Sequence, residues 1–144
     1  MSDKHKPIVG FVLATAVVLS LWVYATPRGS GESAKLTGWS HNVAEATALA
    51  QEDSRPILMM FTADWCGPCQ AMKKGVLSDA DVDSTLSEKF SLVMIDIDDQ
   101  ENRQITSKYN IEAVPTFIIA DADGKEQKRM VGGDDKGAFL AWAK

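Results

Sequence analysis

Only two of the 144 residues are cysteines, Cys66 and Cys69, so any thiol chemistry must belong to that pair. Histidine is equally scarce, with His5 in a basic leader and His41 well upstream of the cysteines. A closed zinc site needs four ligands, and the absence of a second cysteine pair leaves none convincingly assembled, so no metal is expected. Basic residues are outnumbered, 15 against 20 acidic ones, and the net charge of -5 repels phosphate backbones. A nucleic-acid partner is therefore not expected. The acidic stretches "DIDDQE" and "DADG" lack the alternating oxygens, central glycine and closing glutamate of a calcium loop, and read as solvated loops. Internal repeats and low-complexity tracts are also missing.

What is present describes one domain behind an apolar leader. A hydrophobic fraction of 45% with 24% charged residues is ordinary for a chain that buries a core. Charge is absent from Ile8 to Ala25, and eighteen residues at about 1.5 Å each give roughly 27 Å, near the thickness of a bilayer's hydrocarbon core. Lys4 and Lys6 precede the run, which orients residues 1–7 toward the cytoplasm and sends the rest across. Trp22 and Tyr24 then fall at the outer interface. A signal peptide cleaved near Ala25 is the alternative, and it too places the domain outside the cytoplasm, as a secreted protein. Residues 26–37 are rich in Gly, Ser and Pro and read as a flexible tether, so the folded domain is expected over 38–144.

Within that domain the patterns alternate. Val43, Ala46, Leu49 and Ala50 share a helical face, and "PILMMFTA" is a continuous apolar run of the kind found in strands buried on both faces. "QAMKKGVL" continues as a helix with Gly75 as a weak point or kink, since glycine costs about 1 kcal/mol relative to alanine in a helix. "DADVDSTLSEKF" predicts a further helical piece, "SLVMIDID" a strand and "NRQITSKYN" a short helix. "VPTFIIAD" and "KEQKRMVG" flank Ala122, Asp123 and Gly124, a signal for a tight antiparallel hairpin. A helix carrying Phe139, Leu140 and Trp142 closes the chain. Crossover helices make the first strands parallel and the hairpin makes the last two antiparallel, which predicts an α/β class with a mixed central sheet and helices on both faces.

The cysteines fall where a buried strand gives way to a helix. Unsatisfied N–H groups and the positive end of the helix dipole favour a thiolate at Cys66. Pro68 is tolerated in the first turn, and Gly67 is expected to let the chain bend so that Cys69 comes within bonding reach. A purely structural staple is disfavoured because a bridge across so short a loop restrains little of the unfolded chain.

"WCGPC" at 65–69 after an apolar strand, with "VPT" at 114–116, resembles the thioredoxin family over roughly residues 40–144. "ADWCGPCQAM" with "VLSDADV" is further similar to the C-terminal domain of DsbD-type membrane electron carriers and to membrane-anchored extracytoplasmic thioredoxin-like proteins. The resemblance implies a thioredoxin fold in which Cys66 is the exposed nucleophile and Cys69 the buried resolving thiol. It also implies that Trp65 is a flat apolar wall and that Pro115 is a cis proline turning the backbone of Val114 toward the dithiol. Departures from the family stand at Met60, where cytoplasmic thioredoxins carry a buried Asp, at Met94, where they carry a Lys, and at Thr62, which replaces an aromatic residue. Asp96 alternates with Val93, Ile95 and Ile97 and is a candidate for proton transfer beneath the dithiol.

These residues lead to the expectation of a membrane-tethered thiol–disulfide oxidoreductase that reduces protein disulfides. No cofactor is expected beyond the Cys66–Cys69 pair itself. The expected partners are protein disulfide substrates, the membrane through residues 8–25, and a transmembrane thiol reductase as electron donor. The alternative is a non-enzymatic binding or assembly module of the same fold, in which the cysteines regulate docking.

Overall fold

The computed structural model describes Leu36 and residues 38–144. The basic leader 1–7, the apolar run 8–25 and all of the tether 26–37 except Leu36 lie outside the described residues. Among the described residues no helix is long and apolar enough to cross a membrane.

The elements are β1 (Trp39–Ser40), α1 (Val43–Asp53), β2 (Ile57–Thr62), α2 (Gly67–Lys74), α3 (Ala80–Lys89) and β3 (Ser91–Asp96), then a 3-10 turn (Gln100–Asn102), α4 (Arg103–Lys108), β4 (Thr116–Ala120), β5 (Glu126–Val131) and α5 (Lys136–Trp142). The strands form one sheet in the order β1-β3-β2-β4-β5. β1 and β2 run parallel to β3, whereas β4 runs antiparallel to both β2 and β5. β2 is thus flanked on both sides, and every one of its six residues is buried, as its unbroken apolar run requires. The two-residue β1 was not anticipated, because so short an edge strand has no periodicity to read.

Strand alternation sorts the core into two layers. On one face Leu58, Met60, Leu92, Met94 and Phe117 pack with Met72, Val82, Leu86 and Phe139, and both cysteines belong to this layer. On the other, Met59, Phe61, Val93, Ile95 and Ile118 pack with Ala46, Ala50 and Tyr109. α2, α3 and α5 therefore cover the face that holds the dithiol, and α1 and α4 cover the reverse. Each fully buried Leu, Phe or Met is worth about 1.5–3 kcal/mol, so the faces are held by burial more than by helix propensity.

Caps set the helix boundaries. Asn42 accepts from the Glu45 N–H, Asp79 from Asp81 and Val82, and Asp135 from Gly137 and Ala138. Gly75 does not kink a longer helix: it ends α2 as the C-cap, its N–H bonded to Ala71, and the chain restarts at the Asp79 cap. A Cβ there would lie 3.0 Å from the Ala71 carbonyl, so the close approach of this cap suits a glycine. The hairpin is also wider than expected, because Asp121 organises residues 121–125 by accepting from the N–H groups of Asp123 and Lys125. Gly124 takes φ 77° in that loop, and its carbonyl accepts the Tyr109 hydroxyl at 2.8 Å.

Lys136 ties α5 to the start of α3 through Asp79 at 2.7 Å and Asp81 at 3.0 Å. The Lys136 hydrogen bond holds the Asp79 carboxyl below its ordinary 3.8, and the same contacts raise Lys136 above 10.5. The Asp79 contribution is present above 3.8 and lost as pH falls through the lowered native value; that of Lys136 is present below 10.5 and lost as pH rises through the raised one. Lys136→Met should accordingly be less stable than wild type at neutral pH, with the difference closing at both extremes. Parallel stability curves across the whole range in a denaturation series would show that the pair contributes nothing.

Candidate active site

Cys66 is the N-cap of α2, so the strand-to-helix turn itself presents its sulfur to the open N–H groups of the first helical turn. The Cys69 N–H lies 3.1 Å from Cys66 Sγ. The two sulfurs are joined in a disulfide, with Cα atoms 5.2 Å apart. When the bond opens, the same N–H and the helix dipole stand ready to stabilise a Cys66 thiolate.

Exposure in this oxidised state differs from that implied for a reactive thiol. Cys66 is 2% exposed and Cys69 0%, and both belong to the apolar layer that also contains Met60 and Met94. Gly67 and Pro68 are exposed beside them. Gly67 does not supply a bend through unusual dihedrals, since it is absent from the positive-φ glycines and opens the helix. A Cβ at Gly67 would meet nothing within 4 Å, so the space beside the disulfide is open at this residue.

Trp65 is 69% exposed, and its Nε1–H donates to Asp98 Oδ2 at 2.8 Å. The indole is thus a fixed wall, and its anchor, Asp98, was missed because an aspartate in an acidic loop looks like a solvated charge. Only the loop's return past the dithiol gives it a partner. The Val114–Pro115 peptide is cis, Pro115 is buried, and the half-buried Val114 packs against the layer that holds both cysteines. The Pro115 carbonyl accepts the Gly132 N–H at 2.7 Å, and Thr116 Oγ1 donates to Ala113 at 2.7 Å, which pins this segment from both sides.

Beneath the dithiol the layer is apolar where a carboxylate could have stood. Met60 is fully buried, paired in register with Met94 on β3 and Phe117 on β4. Asp96 lies on the same face as Met94, at the end of β3, and is half-buried. Its carboxylate accepts the Asp98 N–H at 2.9 Å and so helps shape the turn that carries Trp65's partner. Thr62, opposite Asp96 in the parallel register, is 2% exposed.

The model of the thioredoxin-like domain matches residues 43–144. The chain belongs to the thioredoxin-like family. It is 30% identical over 121 residues to the thiol:disulfide interchange protein TxlA of Synechococcus elongatus, covering 84% of this chain and 61% of that protein. It is also 30% identical over 122 residues to the thiol:disulfide interchange protein DsbD 2 of Pseudomonas aeruginosa, covering 81% of this chain and 21% of that one. The chain therefore spans less than two thirds of the length of either relative. Among solved structures, a thioredoxin from Thermus thermophilus superposes with a TM-score of 0.64 at 31% identity, over 72% of this chain and 81% of that one. The five-stranded mixed sheet with its helices is thus a thioredoxin fold, and both relatives are named as thiol:disulfide interchange proteins.

Proposed function

We propose that this thioredoxin-like protein reduces protein disulfides outside the cytoplasmic membrane, with Cys66 as nucleophile and Cys69 as resolving thiol. One observation carries the reading: the Cys66–Cys69 disulfide sits at the N-terminus of α2, directly after an exposed tryptophan. The Cys66 thiolate attacks a substrate disulfide and forms a mixed disulfide. Cys69 then attacks Cys66 Sγ, the substrate thiolate leaves with the electron pair, and the protein is left oxidised. An extended substrate strand would pair with the Val114 backbone, and Trp65 would supply apolar contact. Asp96 is proposed to serve proton transfer from its place on the dithiol-side face.

Residues 1–7 would remain in the cytoplasm, 8–25 anchor the chain, 26–37 act as tether and 38–144 do the chemistry. In an oxidising compartment the pair must be re-reduced, and a transmembrane thiol reductase is the electron donor this arrangement needs. The names of the TxlA and DsbD relatives support the exchange chemistry. The uncharged run with lysines before it supports the topology.

Turnover on a protein disulfide separates this reading from a docking module whose cysteines only regulate binding. A reporter fused after Lys144 should behave as extracytoplasmic, and the full-length protein should stay in membranes after alkaline washing. A soluble product beginning at Thr26 would instead establish a cleaved signal peptide, and a cytoplasmic reporter would overturn the topology altogether.

A further inference from the structure

Three polar residues are buried among the described residues: Thr62, Ser91 and Thr116. Two have partners, since Ser91 Oγ donates to Ala46 and Thr116 Oγ1 to Ala113, each at 2.7 Å. Thr62 Oγ1 has none. A buried hydroxyl left without a partner is unfavourable, and at 2% exposure Thr62 Oγ1 is free to take one that the oxidised site does not offer.

Its position indicates which state. Thr62 is the last residue of β2, two beyond Met60, so it shares the face of the sheet on which Met60 packs in one layer with Cys66 and Cys69. The strand turns directly from Thr62 into the loop that delivers Cys66, where the Cys66 N–H bonds the Ala63 carbonyl. In the closed disulfide the Cys69 sulfur is only a weak acceptor, and it takes no hydrogen bond from Thr62 Oγ1. We propose that Thr62 Oγ1 is the hydrogen-bond partner of the Cys69 sulfur once the disulfide opens, a positioning residue for the resolving step in a site that lacks a buried carboxylate. This rests on the oxidoreductase reading above.

The chemistry follows from the hydroxyl's two capacities. It can accept from a Cys69 thiol and donate to a Cys69 thiolate, and donation to the charged form favours it. As the Cys69 thiolate attacks, the Cys66–Cys69 bond forms and the bond from Cys66 to the substrate sulfur breaks. The electron pair leaves on the substrate sulfur, which takes up a proton. The dithiol is the reductant, and Thr62 supplies no electrons and keeps its own proton. Few titratable groups surround this spot. β2 and β4 carry none, β3 only Asp96, and α2 only Cys69, Lys73 and Lys74, with Asp64 in the connecting loop and Asp98 bonded to Trp65.

The test measures Cys69 directly, by thiolate absorbance against pH in a Cys66→Ser background. Adding Thr62→Val should move the midpoint upward by about one pH unit, and Thr62→Ser should leave it within a few tenths. In the protein with both cysteines, Thr62→Val should slow the single-turnover resolving step about tenfold at neutral pH while Thr62→Ser stays near wild type. An unmoved midpoint in folded Thr62→Val, or a serine variant that behaves like valine, would overturn the proposal. Should the valine variant not fold, a structure of the reduced wild-type protein decides. Thr62 Oγ1 within about 3.5 Å of Cys69 Sγ is the expected result, and a hydroxyl bonded elsewhere is the refuting one. Absence of wild-type turnover would sink the proposed function, and the titration and the reduced structure would still decide the place of Thr62.

Discussion

Cys66→Ser is expected to abolish disulfide reduction, to below about a thousandth of wild-type turnover, and to form no mixed disulfide with substrate. Cys69→Ser should lose turnover as severely yet accumulate reducible mixed disulfides, because the first attack needs only Cys66. The asymmetry comes from the helix end. Cys66 is the N-cap, where the Cys69 N–H reaches its sulfur, while Cys69 is completely buried within the first turn. A Ser at 66 cannot attack, and a Cys69 thiol beneath it has no path to a protein substrate. The measurement is non-reducing electrophoresis of each variant after exposure to a protein disulfide, followed by identification of the captured partners. Equal trapping by both variants would mean that the roles are wrongly assigned. Captured partners would also give the physiological substrates directly.

Met60→Asp carries the second large effect, on stability first and on chemistry second. Met60 is fully buried between Met94 and Phe117 in the sheet, and the neighbouring strands offer no cation to a carboxylate there. Losing the thioether's burial and desolvating a carboxylate should together cost on the order of 4 kcal/mol at neutral pH, or roughly 15 °C in Tm. The pH dependence has a definite sign. Burial raises the introduced carboxyl in the native state above its unfolded value of about 3.9, so the unfolded state releases the proton first as pH rises. The penalty is therefore largest above the raised native value and shrinks as pH falls toward the unfolded one.

A folded Met60→Asp should also add a titration to the resolving step, because the new group lies in the same layer as Cys69. Single-turnover reduction across a pH series, with Asp96→Asn alongside, separates the contributions. An unchanged profile in folded Met60→Asp would mean that position 60 does not communicate with the dithiol. Loss of a titration in Asp96→Asn alone would make Asp96 the group that serves in place of the missing carboxylate.

How much of this could be read without coordinates depended on the range of the interaction. The strand 57–62 was legible because an unbroken apolar run has few other uses in a short segment, and so was the junction of strand and helix at Cys66, which the structure resolves as the N-cap. The cysteine pair stood out by arithmetic, with no third cysteine and too few histidines for zinc. Asp98 was not legible. Its hydrogen bond to Trp65 joins residues 33 positions apart, and nothing local distinguishes it from Asp99, which merely caps the 3-10 turn.

Local chemistry by itself determined the types of the longer elements, the helix that begins at the cysteines and the charge-free run at 8–25. Tertiary structure alone decided the strand order β1-β3-β2-β4-β5, because pairing depends on contacts between segments far apart in the chain. It also decided that the hairpin opens to five residues around Asp121, where a side chain outcompetes the tight turn for backbone N–H groups. The isolation of Thr62's hydroxyl is the same kind of fact. A threonine at a strand end reads as an ordinary β-former, and only the packing of neighbouring elements around it removes both water and partner.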